Sequence, residues 1–177
     1  MSVRKMSIIG FLSGFMGSIA GCGSIPKGLE PVKEFEAERY LGTWYEIARL
    51  DHPFERGLNH VTATYSLRRD GKIEVLNRGY NTQKDKWIQA RATAVFAGNE
   101  STGSLKVTFF WPFAAGYHIL ALDREHYEYA LVCGDSRKYL WILARRPQME
   151  REPLHELLQK AERWGFQTEC LIYPVQE

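Results

Sequence analysis

The stretch VTATYSLRRDGKIEVLNRGY, Val61 to Tyr80, alternates, turns and alternates again. Val61, Ala63, Tyr65 and Leu67 fall on one face of an extended chain, and Thr62, Thr64 and Ser66 fall on the other. That period of two marks a strand with one buried side. Asp70-Gly71 supplies residue types that tolerate a tight hairpin turn, and Lys72 to Tyr80 returns as the partner strand.

The same pattern continues on both sides of the hairpin. Runs rich in aromatic and β-branched residues lie at Trp87 to Phe96, Ser104 to Trp111, Tyr117 to Leu122, Tyr129 to Gly134 and Tyr139 to Arg145, with a further segment starting at Gly42. Turn residues separate them at spacings of roughly 8 to 15 residues. Eight consecutive strands with short connections predict an all-β, up-and-down antiparallel barrel. Closure removes both sheet edges, and at about eight strands the interior can hold side chains or one small ligand. One helix interrupts the pattern: Glu152-Pro153 opens it, Leu154, Leu157, Leu158, Ala161 and Trp164 form an apolar stripe, and Gly165 ends it. Such a stripe packs on the outside of the sheet, and Cys170 to Val175 is expected as a final short strand.

The N-terminus has a different character. Arg4 and Lys5 precede 15 uncharged residues, Met6 to Ala20, a run too short and too rich in Gly and Ser to span a bilayer but shaped like a secretory signal. Ile19-Ala20-Gly21-Cys22 resembles a bacterial lipobox. The resemblance implies removal of residues 1–21 and acylation of Cys22, with several chains on one residue to hold the protein at a membrane. Gly23 rather than Asp follows the cysteine, so the resemblance points to the outer membrane of a bacterium. The alternative is an ordinary signal or anchor with an incidental cysteine. Residues 22–33, with two prolines and a glycine between Ser24 and Lys33, read as a tether, and 34–177 as one barrel domain.

Charge excludes one class of partner. The chain has 23 Lys and Arg against 21 Asp and Glu, and Arg4 and Lys5 account for the excess, so the remainder is neutral overall. No basic run interleaved with aromatics supports nucleic-acid binding.

Three segments carry a family resemblance. YLGTWYEIARLDHPFERG, Tyr40 to Gly57, resembles the first signature of the lipocalins, with Gly42-Thr43-Trp44 as its Gly-x-Trp. YLWILARRP, Tyr139 to Pro147, resembles the last signature, whose arginine is Arg145. ALDREHYEYALVCG, Ala121 to Gly134, resembles the middle signature loosely, because Arg124 follows Asp123 and the tyrosines are Tyr127 and Tyr129. The pattern is most similar to the bacterial outer-membrane lipoproteins of the family and to apolipoprotein D-like members. It implies that Gly42, Trp44 and Arg145 form a structural plug, with the guanidinium stacked on the indole, rather than a ligand site.

Within a barrel, parity selects the lining. It directs Ala63, Tyr65, Val75, Asn77, Ala92, Ala94, Phe96, Val107, Phe109, Tyr117, Tyr139 and Trp141 inward. Alanines beside large aromatics leave space, whereas a filled barrel favours Leu, Ile and Val throughout. A long apolar cavity with a few polar groups suits a fatty acid or lysophospholipid, with the protein a monomer or weak homodimer. On this reading Ala94→Trp fills the cavity and spares the fold. A lipid-modifying hydrolase using Asp51 and His52, or a structural lipoprotein with a filled barrel, are the alternatives.

Catalytic machinery is not evident. No Gly-x-Ser-x-Gly elbow, phosphate loop or Cys-x-x-Cys pair occurs, the five histidines lack metal-ligand spacing, and no cofactor or metal is expected. Cys133 and Cys170 either form a disulfide or leave Cys133 as a buried thiol.

Overall fold

The computed structural model describes residues 23–176; Cys22 and the expected leader before it lie outside the described residues. Eight strands, β1 (Gly42–Arg49), β2 (Leu58–Leu67), β3 (Ile73–Asn81), β4 (Lys86–Phe96), β5 (Ser104–Phe110), β6 (Phe113–Leu122), β7 (Tyr129–Cys133) and β8 (Leu140–Ala144), pair in sequence order. β8 pairs back onto β1, so the barrel closes. The β2–β3 hairpin turns as its sequence requires: Gly71 takes a φ of +78°, and the Arg68 N–H donates to the Lys72 carbonyl at 2.8 Å. Cross-strand partners Tyr65 and Val75, and Ala63 and Asn77, share the inner face.

Alternation divides the apolar residues between two layers. Inside lie Trp44, Tyr65, Ile73, Val75, Ala92, Ala94, Leu105, Val107, Ile119, Ala130, Val132 and Leu143. Outside, Leu131, Cys133, Leu140 and Ile142 meet Leu157 and Ala161 of the long helix. That helix, Arg151–Arg163, is preceded by a short helix over Ala37–Tyr40 before β1, so the two are α1 (Ala37–Tyr40) and α2 (Arg151–Arg163). Leu154, Leu158 and Trp164 pack at the margins of the outer layer, which accounts for the apolar stripe read from the sequence. Cys133 and Cys170 are both free thiols, and burial pushes that of Cys133 up to about 12. The final strand contracts to a single bridge between Arg49 and Ile172, because a 3-10 turn at Thr168–Cys170 takes up the chain before it.

Residues 23–33, read as a tether, run along the barrel wall. The Gly23 N–H donates to Asp135 Oδ1 at 2.8 Å, Leu29 is buried in the outer layer, and the Val32 N–H donates to the Ile119 carbonyl at 2.8 Å. The segment therefore passes from the end of the barrel that carries Asp135 to the end that carries α1.

At the α1 end the barrel is plugged. Tyr40 stacks on Trp44 with ring centroids 4.5 Å apart, and the Trp44 indole N–H donates to the Tyr40 carbonyl at 2.8 Å. Arg145 lies 4.0 Å over the indole and donates to the carbonyls of Arg39 (2.6 Å), Thr43 (3.1 Å) and Tyr127 (3.2 Å). Gly42 adopts a φ of +94°, and a Cβ there would sit 3.3 Å from Arg145 Nη1, so both conformation and space call for glycine.

Because one guanidinium satisfies three carbonyls and stacks on a ring, Arg145→Ala is expected to cost about 2–4 kcal/mol. Arg145→Lys should recover only a small part, since an ammonium cannot reach the three acceptors at once. Urea denaturation of the three proteins measures this; a loss below about 0.5 kcal/mol for the alanine variant contradicts the assignment.

Candidate ligand-binding lumen

Four connections, β1–β2, β3–β4, β5–β6 and β7–β8, share the end opposite the plug, as an up-and-down barrel requires. At this end the inner face opens to solvent. Ala90, paired with Asn77, and Ala115, paired with Val107, face inward and are nonetheless exposed. Ala92 and Ala94 continue that wall down β4, where both are buried. Small side chains on β4 and β6, the two strands that flank β5, leave the inner face exposed here.

The wall on β8 and β1, on the other side of the barrel, is polar. Glu46 pairs with inward Leu143 and Arg49 with inward Trp141, because a register shift between Glu46 and Ala48 lets two residues three apart face the same way. Both are almost fully buried and bridge each other through Arg49 Nη1 and Glu46 Oε1. His52 and Glu55 of the β1–β2 loop fold over them: His52 Nε2 lies 2.8 Å from Glu55 Oε2, the Trp141 indole N–H donates to that oxygen at 3.0 Å, and Arg49 Nη2 donates to the Glu55 carbonyl at 2.8 Å. Burial first, then the Glu55 charge, raises the Glu46 carboxyl well above the carboxylate range, against the pull of Arg49. Burial opposes ionisation of Glu55 as well, yet His52, the Trp141 indole and Arg49 bring its carboxyl below the ordinary value. The two acids are pushed apart, one towards neutral and one towards charged. Arg49 Nε, His52 Nδ1 and Asn77 Oδ1 are buried without a hydrogen-bond partner among the described residues.

Lower in the barrel three phenols meet. The hydroxyl of Tyr117 lies 2.7 Å from that of Tyr40 and 2.8 Å from that of Tyr65. Burial raises all three above the usual phenol value, so the chain of hydroxyls is neutral. It marks the floor between the open half and the packed plug.

The structure distributes the sequence-derived lining over these zones. Ala63, Tyr65, Val75, Ala92, Ala94, Phe96, Val107, Tyr117 and Trp141 belong to or pack against the inner layer, and Asn77 faces inward between Ala63 and Ala90. Ala94 is fully buried beside Ile73 and Val107, so it belongs to the packed half, and a tryptophan there overpacks core instead of blocking an open cavity. Phe109 follows Val107 by parity but sits at a register shift near the rim, 40% exposed and outside the inner layer. Tyr139 precedes β8 and stacks on Trp141 at 6.2 Å between ring centroids. Asp51 and His52 do not act as a pair: Asp51 accepts three hydrogen bonds from exposed Arg56, while buried His52 turns to Glu55. Ala90, Ala115, Glu46, Arg49, Glu55 and Tyr40 were not expected in the lumen.

A closed eight-stranded barrel with one plugged and one open end defines a class of small-ligand binding proteins. The sequence model of the Lipocalin-like domain matches residues 35–176, and the chain belongs to that family. It is 55% identical over 148 residues to an outer membrane lipoprotein, Blc, of Citrobacter freundii, covering 84% of this chain and 83% of that one. To the protein of the same name from Vibrio cholerae it is 48% identical over 157 residues, covering 89% and 92%. Mouse apolipoprotein D is 33% identical over 157 residues, covering 79% and 82%. Among solved structures, insecticyanin of the tobacco hornworm superposes with a TM-score of 0.71 at 20% identity over 89% of this chain and 88% of that one, a likeness of fold alone. Family membership makes the barrel a ligand-binding protein and not an enzyme.

The polar wall predicts a pH dependence. Folded Glu46 holds its proton up to about 8, whereas the unfolded chain releases it near 4.5, so the folded state binds more protons in that window. Its contribution to stability therefore falls as pH rises through the window, and Glu46→Gln removes the fall. Thermal midpoints at about pH 5 and about pH 8.5 measure this: the wild type should lose more than the variant, and equal losses contradict it.

Proposed function

We propose that the protein is held at the outer membrane by acylated Cys22 and carries a fatty acid or lysophospholipid in the open half of the barrel. The names of its bacterial relatives, outer membrane lipoproteins, support the location, together with the lipobox-like Ile19-Ala20-Gly21-Cys22. The observation that carries the ligand class is the pair of inward yet exposed alanines, Ala90 and Ala115, above buried Ala92. An acyl chain fits the alanine-lined side of the barrel, and Arg49 and His52 of the polar wall, with Asn77 on β3 beside Ala90, offer unpartnered atoms to a head group. A barrel filled throughout describes only its lower half, where Trp44, Ala94, Leu105 and Ile119 are sealed.

Titration with a lysophospholipid or a fatty acid should change tryptophan emission saturably near one ligand per barrel, through Trp141 at the lumen wall. Ala90→Trp should abolish saturation while altering stability by no more than about 0.5 kcal/mol, because its side chain enters open space. Ala94→Trp should instead destabilise the fold by about 1–3 kcal/mol. Unchanged saturation in Ala90→Trp, or no lipid-dependent change in the wild type, contradicts the reading.

A further inference from the structure

The open end of the barrel carries an apolar tip that the lumen does not use. The β5–β6 connection reads Phe109-Phe110-Trp111-Pro112-Phe113, and Phe110, Trp111 and Phe113 are 81%, 88% and 75% exposed. Phe54, in the β1–β2 connection at the same end, is 79% exposed. No large apolar residue elsewhere in the described chain exceeds 59%. Aromatic side chains present roughly 150–250 Å² each, so the three consecutive rings alone make a patch of several hundred Å², more than a monomer ordinarily leaves to water.

Placement relative to the chain start says what covers it. Asp135, in the β7–β8 connection at the open end, accepts through one oxygen from the N–H of Gly23 at 2.8 Å and from the N–H of Gly116 at 2.9 Å. Gly116 stands three residues from Phe113 on the same strand. Gly23 is also the residue directly after Cys22, and it is buried against the Lys106 side chain. The point at which an acylated Cys22 joins the fold is thus fixed beside the aromatic tip, with no free linker between them. An anchor so placed brings the tip to the bilayer surface, and aromatic rings with Trp among them are the side chains that settle at the level of lipid head groups.

We propose that Phe110, Trp111 and Phe113 insert into the bilayer interface beside the acylated N-terminus, so that the barrel stands with its open mouth on the membrane. The proposal rests on the anchoring reading above and adds orientation to it: a lipid leaving the bilayer meets the alanine wall without crossing water. Phe54 extends the contact to the other side of the mouth.

The test uses the full, processed lipoprotein reconstituted into vesicles of phosphatidylethanolamine and phosphatidylglycerol, with or without bromine in the upper acyl chain as a contact quencher. The emission of Trp111 is read as the difference between wild type and Trp111→Phe. It should be shifted to the blue and reduced severalfold in brominated relative to plain vesicles, and Phe110→Ser/Phe113→Ser should abolish that reduction while the protein still floats with the vesicles. Flotation with no bromine-dependent loss from Trp111 overturns the insertion and leaves the anchor standing. A blue-shifted, unquenched Trp111 in a protein that sediments as a dimer overturns it in favour of a second copy on the tip. A wild type that does not float with vesicles overturns the anchoring reading and the insertion with it.

Discussion

Arg145 is the constraint on which the asymmetry of the barrel depends. Its guanidinium gathers carbonyls from the segment before β1, from β1 itself and from the β6–β7 connection, and lies over the indole of Trp44. A closed sheet has no intrinsic top or bottom. One half-buried cation with planar donors decides which end is sealed, and Tyr40, stacked on the indole, completes the seal and supplies one of the three linked phenols. Access to the interior then lies at the other end, where the four connections carry His52, Glu55, Asp135 and the aromatic tip.

Above the floor the lumen has two unlike walls, and the difference follows from strand order. In a closed run of eight strands, β8 and β1 stand opposite β4 and β5. The first pair contributes Glu46, Arg49 and Trp141, and the second contributes Ala90, Ala92 and Val107. Buried charge is costly unless paired, and here pairing is nearly complete: Arg49 with Glu46, His52 and Trp141 with Glu55, and one acid shifted towards neutral. On the proposed reading, that arrangement holds a polar surface inside an otherwise apolar cavity at low charge, so that an amphiphile finds both kinds of contact within one barrel.

Much of this was legible in the sequence, and the part that was not has a physical reason. Alternation from Val61 to Leu67 and the Asp70-Gly71 turn give the hairpin, and its repetition gives the barrel. Gly42, Trp44 and Arg145 give the plug through family resemblance. Ala92 and Ala94 follow from parity on β4, a strand whose pairing with both neighbours is regular, whereas Ala90 and Ala115 nearer the mouth were not singled out. Parity fails where strands shift register. Glu46 and Arg49 are three apart and would point to opposite faces of a regular strand, but the shift before Ala48 turns both inward, and the polar wall was therefore invisible. Phe109 stands at a similar shift on β5. Residues 23–33 look like a linker by composition, because their hold on the barrel comes from backbone hydrogen bonds and a few apolar side chains that no local pattern announces. His52 looked like a partner for Asp51 by adjacency, whereas Arg56 and Glu55 take them in different directions.

The central claim is that the open half of the barrel holds an acyl chain. Native mass spectrometry of the protein extracted from outer membranes tests it most directly, since it separates a guest in the lumen from the covalent chains proposed at Cys22. The account predicts a population one lipid heavier than the acylated protein, its extra mass that of a single fatty acid or lysophospholipid, and reduced in Ala90→Trp. A single species at the mass of the acylated protein, under conditions that preserve other lipid complexes, would contradict it.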